Sequence, residues 1–227
     1  MKIPLLDVNM KINCEDYTLK EIALYFEHFN GYTLKVETNT ISFKVKIDKN
    51  TLPHMLGLQH AYANKKDSRE YKGKKGFEKL KNGKVTLEEL KYNIKNNKKS
   101  KVSWKMIQRR IEYLPMFFNN IERRTRLKII SENKICRNSL LRGKYAIFKP
   151  IYEEKKTIFP MISLKEIEDK KIVIETFIIE DNISFLGGLE EETIKKIELV
   201  SPLDSTYPFS NIKELNEKRE EKETQKN

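Results

Sequence analysis

Cysteine, histidine and tryptophan are scarce in this 227-residue chain, which holds two Cys, three His and one Trp. Cys14 and Cys136 lie far apart and outside any CxxC pattern. The sequence therefore predicts neither a disulfide framework nor a zinc site. We expect a cytoplasmic protein in a reducing environment that needs no metal and no other cofactor.

Long apolar runs are also missing. No stretch approaches the roughly 20 apolar residues that a membrane-spanning helix needs. Pro4 and Asp7 interrupt the short apolar run at the N-terminus, which excludes a signal peptide. The sequence predicts a soluble protein with no membrane partner.

Positive charge is abundant and concentrated in one segment. The formal net charge is +12, and residues 65–110 hold 17 Lys and Arg against 5 Asp and Glu, so this segment accounts for the whole surplus. Clustered cations displace counterions from phosphates, which favours a nucleic acid as partner. A lysine-rich composition inherited from an AT-rich genome would produce the same count. Charge alone therefore does not distinguish a nucleic-acid partner from a compositional bias.

The hydrophobic pattern predicts one α+β domain over residues 1–210, with a central basic loop and helix insertion at residues 65–110. Residues 65–84 contain three glycines and little periodicity, and they are predicted to form a mobile loop with a helical turn at residues 77–81. Pro115 is expected to kink or divide the last helix. Residues 211–227 form a charged tail, predicted as frayed helix or disorder.

The predicted elements follow the helical period and the two-residue strand period. An N-terminal helix and a β-hairpin come first, two helices follow the basic loop, and an antiparallel sheet completes the domain. Their ranges are 16–29 for the first helix, 32–38 and 41–48 for the hairpin, 86–96 and 103–120 for the later helices, and 144–149, 156–162, 171–179 and 194–200 for the sheet.

The stretch Leu52-Pro-His-Met-Leu-Gly-Leu-Gln-His60 holds two of the three histidines. Asn50 or Thr51 can cap a short helix whose first residue is Pro53. His54 and His60 would lie about 120° apart around a straight helix. Either Gly57 bends the segment, or only one of these histidines acts.

This stretch, after a strand, and a late strand reading Ile174-Glu-Thr-Phe-Ile-Ile179 resemble the phage-type nuclease domains of the barnase–EndoU–colicin–RelE superfamily. In that family a F/L-P-H-L-x-G-L segment follows the first hairpin, and a Ser/Thr-Phe pair lies in a late strand. The resemblance covers about residues 21–181. It implies a metal-independent endoribonuclease in which helices pack on a four-stranded antiparallel sheet with a concave active face.

Cleavage of RNA without a metal needs a base for the 2′-hydroxyl proton, an acid for the leaving 5′-oxygen and cations for the phosphorane charge. Histidine titrates in the right range for the first two roles. His54 is the first catalytic candidate and His60 the second, and the resemblance adds the hydroxyl of Thr176. The nucleic-acid-binding candidates are Lys149, Arg123, Arg124, Arg126, Lys74, Lys75, Arg109 and Arg110. Arg109 and Arg110 are expected on the solvent side of their helix.

Each candidate also has a structural reading. His54 can simply satisfy the first turn of a helix, the arginines can form a solvated helix end, and Lys149 can mark a strand edge. Two other functions therefore stay open. The protein could bind nucleic acid without cutting it, or it could be a phage protein that blocks a host defence on a degenerate nuclease fold. An antitoxin or a host protein is a possible partner. The nuclease hypothesis requires His54 and Thr176 to meet beneath a cationic rim.

Overall fold

The computed structural model of the protein describes residues 3–63, 67–97, 102–130, 134–136, 139–154, 156–182 and 184–202. The predicted tail at residues 211–227 lies outside these ranges. None of the helices in the described ranges has the length and the apolar character that a membrane span requires.

Six α-helices lie in the described ranges. They are α1 (Leu19–His28), α2 (Leu52–Met55), α3 (Leu58–Ala61), α4 (Gly73–Lys81), α5 (Leu87–Asn96) and α6 (Trp104–Asn119). The predicted N-terminal helix is confirmed as α1, and it begins after Thr18. The Thr18 hydroxyl accepts a hydrogen bond from the Glu21 N–H, and the Glu21 carboxylate accepts one from the Thr18 N–H. This reciprocal pair satisfies two backbone donors that a helix start leaves open.

Eleven strands lie in the same ranges. They are β1 (Thr33–Thr38), β2 (Ser42–Lys46), β3 (Arg126–Ile129), β4 (Lys134–Cys136), β5 (Ser139–Leu141), β6 (Tyr145–Phe148), β7 (Ile151–Glu153), β8 (Lys156–Glu166), β9 (Ile172–Glu180), β10 (Glu191–Glu192) and β11 (Ile194–Val200). Nine of them form one sheet with the order β10-β3-β6-β8-β9-β2-β1-β11 and with β7 beside β8, while β4 and β5 pair with each other.

The antiparallel pairing predicted for the late strands is confirmed for β6, β8 and β9. The hairpin joins them in the same sheet, so they do not form a sheet of their own. β2 pairs with β9 in parallel through Val45 and Ile172. β11, expected beside the late strands, pairs instead with β1. β9 is apolar on both faces and needs a neighbour at each edge, which β8 and β2 supply. The α+β class itself is confirmed.

Residues 65–84 were predicted as a mobile loop with a helical turn at residues 77–81. The turn is confirmed as part of α4, and the loop prediction is wrong for most of the other described residues. A 3-10 helix at Ser68–Tyr71 and the helix α4 occupy residues 68–81. Phe77 and Leu80 of α4 are fully buried. A Cβ at Gly76 would lie 2.6 Å from the Tyr71 carbonyl oxygen and 3.0 Å from Pro53 Cβ. Tertiary packing against α2 therefore overrides the weak helix propensity of a glycine- and lysine-rich sequence.

α6 runs without a break from Trp104 to Asn119, so Pro115 does not divide it as predicted. Nearly all of its faces are buried, because it packs on β9 and β8 and also contacts α5 and the N-terminal segment. The Tyr25 hydroxyl of α1 donates to the Pro115 carbonyl oxygen at 3.1 Å. Contacts on all sides hold a helix that a proline would weaken in isolation.

The sheet has an apolar cluster on each face. The helices cover one face, where Ile162, Leu164 and Phe177 of the central strands join the main core. Met161 and Ile178 point the other way and pack with Leu141 and Leu186. The strands β8 and β9 are therefore covered on both faces, and a polar side chain placed on them needs a specific reason.

Gly57 separates α2 from α3 and answers the question that the histidine spacing raised. Its φ angle is +76°, in the left-handed region, so one straight helix cannot continue through it. A Cβ at this position would lie 2.2 Å from Ile107 Cδ1 of α6. Asn50 or Thr51 was expected to cap α2, but Thr51 makes no side-chain cap. The Asp48 side chain instead accepts a hydrogen bond from the Asn50 N–H.

Gly57→Ala is expected to lower the free energy of unfolding by about 2–4 kcal/mol, because it adds left-handed strain to a clash with Ile107. Gly83→Ala is the matched control, since Gly83 has a φ of +68° and nothing within 4 Å of the added Cβ. Urea unfolding followed by circular dichroism measures both. Ile107→Val, which removes the clashing atom, should restore part of the loss. Equal losses at Gly57 and Gly83 would contradict the packing explanation.

Candidate active site

The parallel pairing of β2 with β9 places the first histidine. After Val45 the chain leaves the sheet, turns through a 3-10 helix at Lys49–Thr51 and forms α2, which packs against β9. Leu52, Pro53 and Met55 are buried, while the side chain of His54 is exposed. α2 thus holds one imidazole at the edge of a central strand where a ligand can reach it.

Charged groups surround His54 on several sides. Burial of part of the ring, together with the cations of Arg110 and Lys72, lowers the pKa of His54 below its usual value. The carboxylate of Glu175 on β9 opposes this shift. His54 therefore lies within the electrostatic range of a carboxylate on the central strand and of two cations from other helical segments.

The bend at Gly57 also brings His60 to this place. His60 is half-buried, and its pKa falls to about 4 because of burial, then the charge of Arg110 and then that of His54. Its carbonyl oxygen accepts a hydrogen bond from Asn97 Nδ2 at 2.6 Å. His60 is neutral at physiological pH and serves as an anchor between α3 and the end of α5.

Glu175 occupies an irregular position in β9. Ser163 of β8 pairs with Thr176, and Leu164 pairs with Ile174, so Glu175 is an extra residue of a β-bulge. Bulges re-aim side chains and occur often beside active sites. The Glu175 carboxylate accepts hydrogen bonds from the Ser163 hydroxyl at 2.7 Å and from the Arg142 N–H at 3.1 and 3.2 Å. These two donors hold the carboxylate in one orientation.

Gly143 makes this arrangement possible. A Cβ at Gly143 would lie 2.2 Å from the Ser163 hydroxyl oxygen and 2.7 Å from the Leu164 carbonyl oxygen. Only a residue without a side chain lets the loop before β6 approach β8 so closely. This approach brings the Arg142 N–H to the Glu175 carboxylate.

Thr176, the candidate from the late strand, is buried next to this carboxylate. It pairs with Ser163, and the alternation of β9 directs it to the side of Ile178, away from Phe177 and the helices. The group of β9 whose charge acts on His54 is its neighbour Glu175. A role for Thr176 in catalysis stays a prediction.

Arg109 and Arg110 do not lie on the solvent side of α6, so that prediction is wrong. Both are buried, with exposed fractions of 8% and 2%. Arg109 forms a two-bond ion pair with Asp181 at 3.1 and 2.5 Å. Arg110 donates to the Met55 carbonyl oxygen at 3.3 Å, at the end of α2. α6 is covered on nearly every face, so its arginines point inward and hold neighbouring segments.

The other cations divide between two places. Lys72, Lys74 and Lys75 are exposed at the start of α4, and Lys75 pairs with Glu70 at 2.5 Å. The remaining four lie beyond the C-terminal end of α6, on or next to β3 and β6: Arg123, Arg124, Arg126 and Lys149. The helix rise places that end about 15 Å from Arg110. A role for these four cations in nucleic-acid binding stays a prediction.

The described residues contain no group of three or more His, Cys, Asp and Glu side chains that could hold a metal ion. His54, His60 and Glu175 are contributed by α2, α3 and β9, with donors from β8 and the loop before β6. The arrangement combines an imidazole, an oriented carboxylate and nearby cations. These are the groups that proton transfer at a phosphodiester requires.

A profile of the family PBECR4, described as phage-Barnase-EndoU-ColicinE5/D-RelE like nuclease4, matches residues 18–227. The chain belongs to this nuclease family. The family confirms the resemblance inferred from the histidine stretch and the late strand, and it implies a nucleic acid as substrate. No curated protein and no solved structure matches the chain.

Sequence reasoning about this PBECR4 protein missed Glu175, Ser163, Lys72 and Arg142. One signal was available for Glu175, because the polar pair Glu175-Thr176 interrupts a run of apolar residues in a buried strand. A carboxylate in such a strand is rare without a function or a partner. The roles of Ser163 and Arg142 depend on strand register and on a backbone N–H, which no local pattern reveals.

The low pKa of His60 predicts acid sensitivity of this PBECR4 protein. Between pH 6.5 and about 4 the unfolded chain binds more protons at His60 than the folded chain does. The free energy of unfolding should therefore fall as the pH drops through this window, by up to about 3 kcal/mol from this group. His60→Gln should flatten this decline, measured by urea unfolding at a series of pH values. Equal pH dependence in wild type and His60→Gln would contradict the assignment.

Proposed function

We propose that the protein is a metal-independent endoribonuclease whose proton-transfer groups are His54 and Glu175. The observation that carries the proposal is the placement of an exposed imidazole within the electrostatic range of an oriented carboxylate on β9. Membership of a nuclease family supports the reaction class.

In the proposed reaction Glu175 accepts the proton of the RNA 2′-hydroxyl. The 2′-oxygen then attacks the adjacent phosphorus, the bond from phosphorus to the 5′-oxygen breaks, and His54 donates a proton to that oxygen. The products are a 2′,3′-cyclic phosphate and a free 5′-hydroxyl. Glu175 suits the base role because two hydrogen-bond donors orient its carboxylate, a group that can accept a proton. The acid role falls to His54, because imidazole exchanges protons near neutrality.

Substrate binding favours this assignment for His54. In the free protein, burial and the charges of Arg110 and Lys72 lower its pKa. A bound phosphodiester brings a negative charge to the same place, and a nearby negative charge stabilises the imidazolium form. The acid is therefore charged when its substrate is present.

We propose that the exposed side chains of Lys72 and Arg142 stabilise the negative charge of the phosphorane. Lys72 lies within the electrostatic range of His54, and the backbone of Arg142 contacts Glu175. Arg110 is too enclosed to reach a substrate and acts by positioning α2 through Met55. Lys74 and Lys75, exposed at the start of α4, extend the basic surface beside Lys72.

We further propose that the protein acts on RNA in the cytoplasm as an effector or toxin of a phage or mobile element. The family description, which names phage nucleases and RelE, supports this role. An effector of this kind needs an antitoxin or a host partner to restrain or direct it. Such a partner would bind where it covers His54.

His54→Ala and Glu175→Gln should each reduce RNA cleavage by about 10²–10⁴-fold, the usual contribution of an acid or a base. Affinity for a non-cleavable 2′-O-methyl RNA should change little, because neither side chain supplies the main positive charge. Cleavage is measured on labelled RNA in the presence of EDTA, since the proposed mechanism uses no metal ion.

Glu166→Gln is the matched control, because it removes a carboxylate and its 2.7 Å ion pair with Lys144 from the same sheet. It should cleave like the wild type. Full activity in His54→Ala would exclude the assignment. A wild type that binds RNA and never cuts it would favour the non-catalytic binding protein, and capture of one protein partner without RNA would favour the anti-defence alternative.

The pH dependence of kcat/KM should show which group is the acid. If His54 donates the proton, kcat/KM falls as the pH rises through its lowered pKa, and the optimum lies on the acidic side of the usual histidine value of 6.5. An activity that instead increases through the histidine titration and stays high at neutral pH would make His54 the base and contradict the proposed order.

A further inference from the structure

Three cations lie together where α6 ends, about 15 Å along the helix from Arg110 and the site at His54. Arg123, Arg124 and Lys149 are named the α6-end cluster below. Arg123 and Arg124 are exposed and follow α6, and Lys149, half-buried, follows β6. Lys149 Nζ donates to the Asn120 carbonyl oxygen at 3.0 Å, and the Arg123 N–H donates to the same oxygen at 2.9 Å.

The positive charge of the α6-end cluster is not neutralised within the described part of the chain. None of its three members forms an ion pair there, whereas the nearby Arg126 and Lys128 both approach Glu191, at 3.6 and 3.5 Å. Burial and the charges of Arg123 and Arg124 lower the pKa of Lys149 to about 8. Mutual repulsion among cations is costly, and an anion between them relieves it.

The nearest acidic side chain does not serve as this anion. Glu122 feels the charge of Arg123, but its carboxylate accepts a 2.6 Å hydrogen bond from the Leu199 N–H at the end of β11. Burial raises the pKa of Glu122. This hydrogen bond connects the residue after α6 to the edge of the sheet.

A purely structural role accounts for only part of the α6-end cluster. A lysine at the C-terminal end of a helix is favoured by the helix dipole, and this explains Lys149. It does not explain Arg124, which has a φ of +51°. A residue other than glycine in this conformation is strained, and such strain is more often kept where a side chain has a function.

We propose that Arg123, Arg124 and Lys149 form a second phosphate-binding subsite, which holds a backbone phosphate of the RNA outside the bond that is cut. This inference rests on the proposed function, because it takes the ligand to be the RNA substrate. A single strand bound at His54 would cross the protein surface to reach this subsite, over a span comparable to the part of α6 between Arg110 and Asn119. Phosphate contacts of this kind position a nucleic acid without reading its sequence.

The test compares Arg123→Gln/Arg124→Asn with the wild-type chain. Asparagine tolerates the left-handed backbone of position 124, and the hydrogen bond from Lys149 to Asn120 stays intact, so the double variant should fold. Arg126→Gln is the matched control, because it removes the same charge from a neighbouring position that already has Glu191 as a partner. The ligand is a single-stranded 2′-O-methyl oligonucleotide long enough to reach both ends of α6.

The double variant should bind this oligonucleotide about tenfold more weakly at low salt. The slope of log affinity against log salt should become shallower by about 0.7 for each phosphate that the variant no longer binds. Arg126→Gln should change neither quantity appreciably. Cleavage of a dinucleotide, which is too short to reach the subsite, should be unaffected in the double variant.

The possible failures can be told apart. If the double variant binds and responds to salt as Arg126→Gln does, the subsite is excluded and the proposed nuclease site stands. A proportional loss of dinucleotide cleavage would mean that these arginines serve the site at His54 and would also exclude a separate subsite. A wild-type chain that does not bind the oligonucleotide would overturn the subsite together with the assignment of RNA as substrate.

Discussion

The parallel contact between Val45 and Ile172 determines where the chain leaves the sheet and therefore where its histidines lie. A hairpin that simply ended would release the following residues into solvent. Here β2 runs alongside the central strand for a short distance and then gives way to α2, which takes the next place against β9. The apolar residues of α2 are buried by this contact, and the one residue left exposed in it is His54.

The bulge in β9 completes this arrangement from the other side. A regular strand with both faces covered has no room for an ionised carboxylate. The extra residue at Glu175 lets the chain keep Ile174 and Phe177 in the main core while the carboxylate meets the donors at Ser163 and Arg142. Both elements are therefore locally irregular near the polar groups. A left-handed glycine follows α2, and β9 contains a bulge.

Local patterns in the sequence predicted most elements but not their arrangement. The capping residues before α1 and the alternation of β1 and β2 depend on near neighbours, so they could be read directly. The pairing of β2 with β9, and of β11 with β1, joins residues far apart in the chain, and no periodicity encodes it. The same limit applies to charge: a count of lysine and arginine cannot distinguish the buried Arg110 from the exposed Lys72.

The candidate site was predictable to a similar extent. The histidine stretch and the late strand identified the two regions that the structure brings together, because both carry short motifs. Arg109 and Arg110 were placed wrongly, because α6 is covered on nearly all sides and both side chains are buried. Exposed cations at the start of α4 and beyond the end of α6 agree with a polyanion that contacts more than one point on the protein.

The most direct test of the shared site is the pKa of His54 measured by NMR titration in the wild type and in Glu175→Gln. Because the carboxylate of Glu175 raises the pKa of His54, its loss should lower that pKa further. Glu166→Gln should leave it unchanged. An identical His54 titration with and without the Glu175 charge would show that the two groups do not share a site, and the proposed acid–base pair would fail.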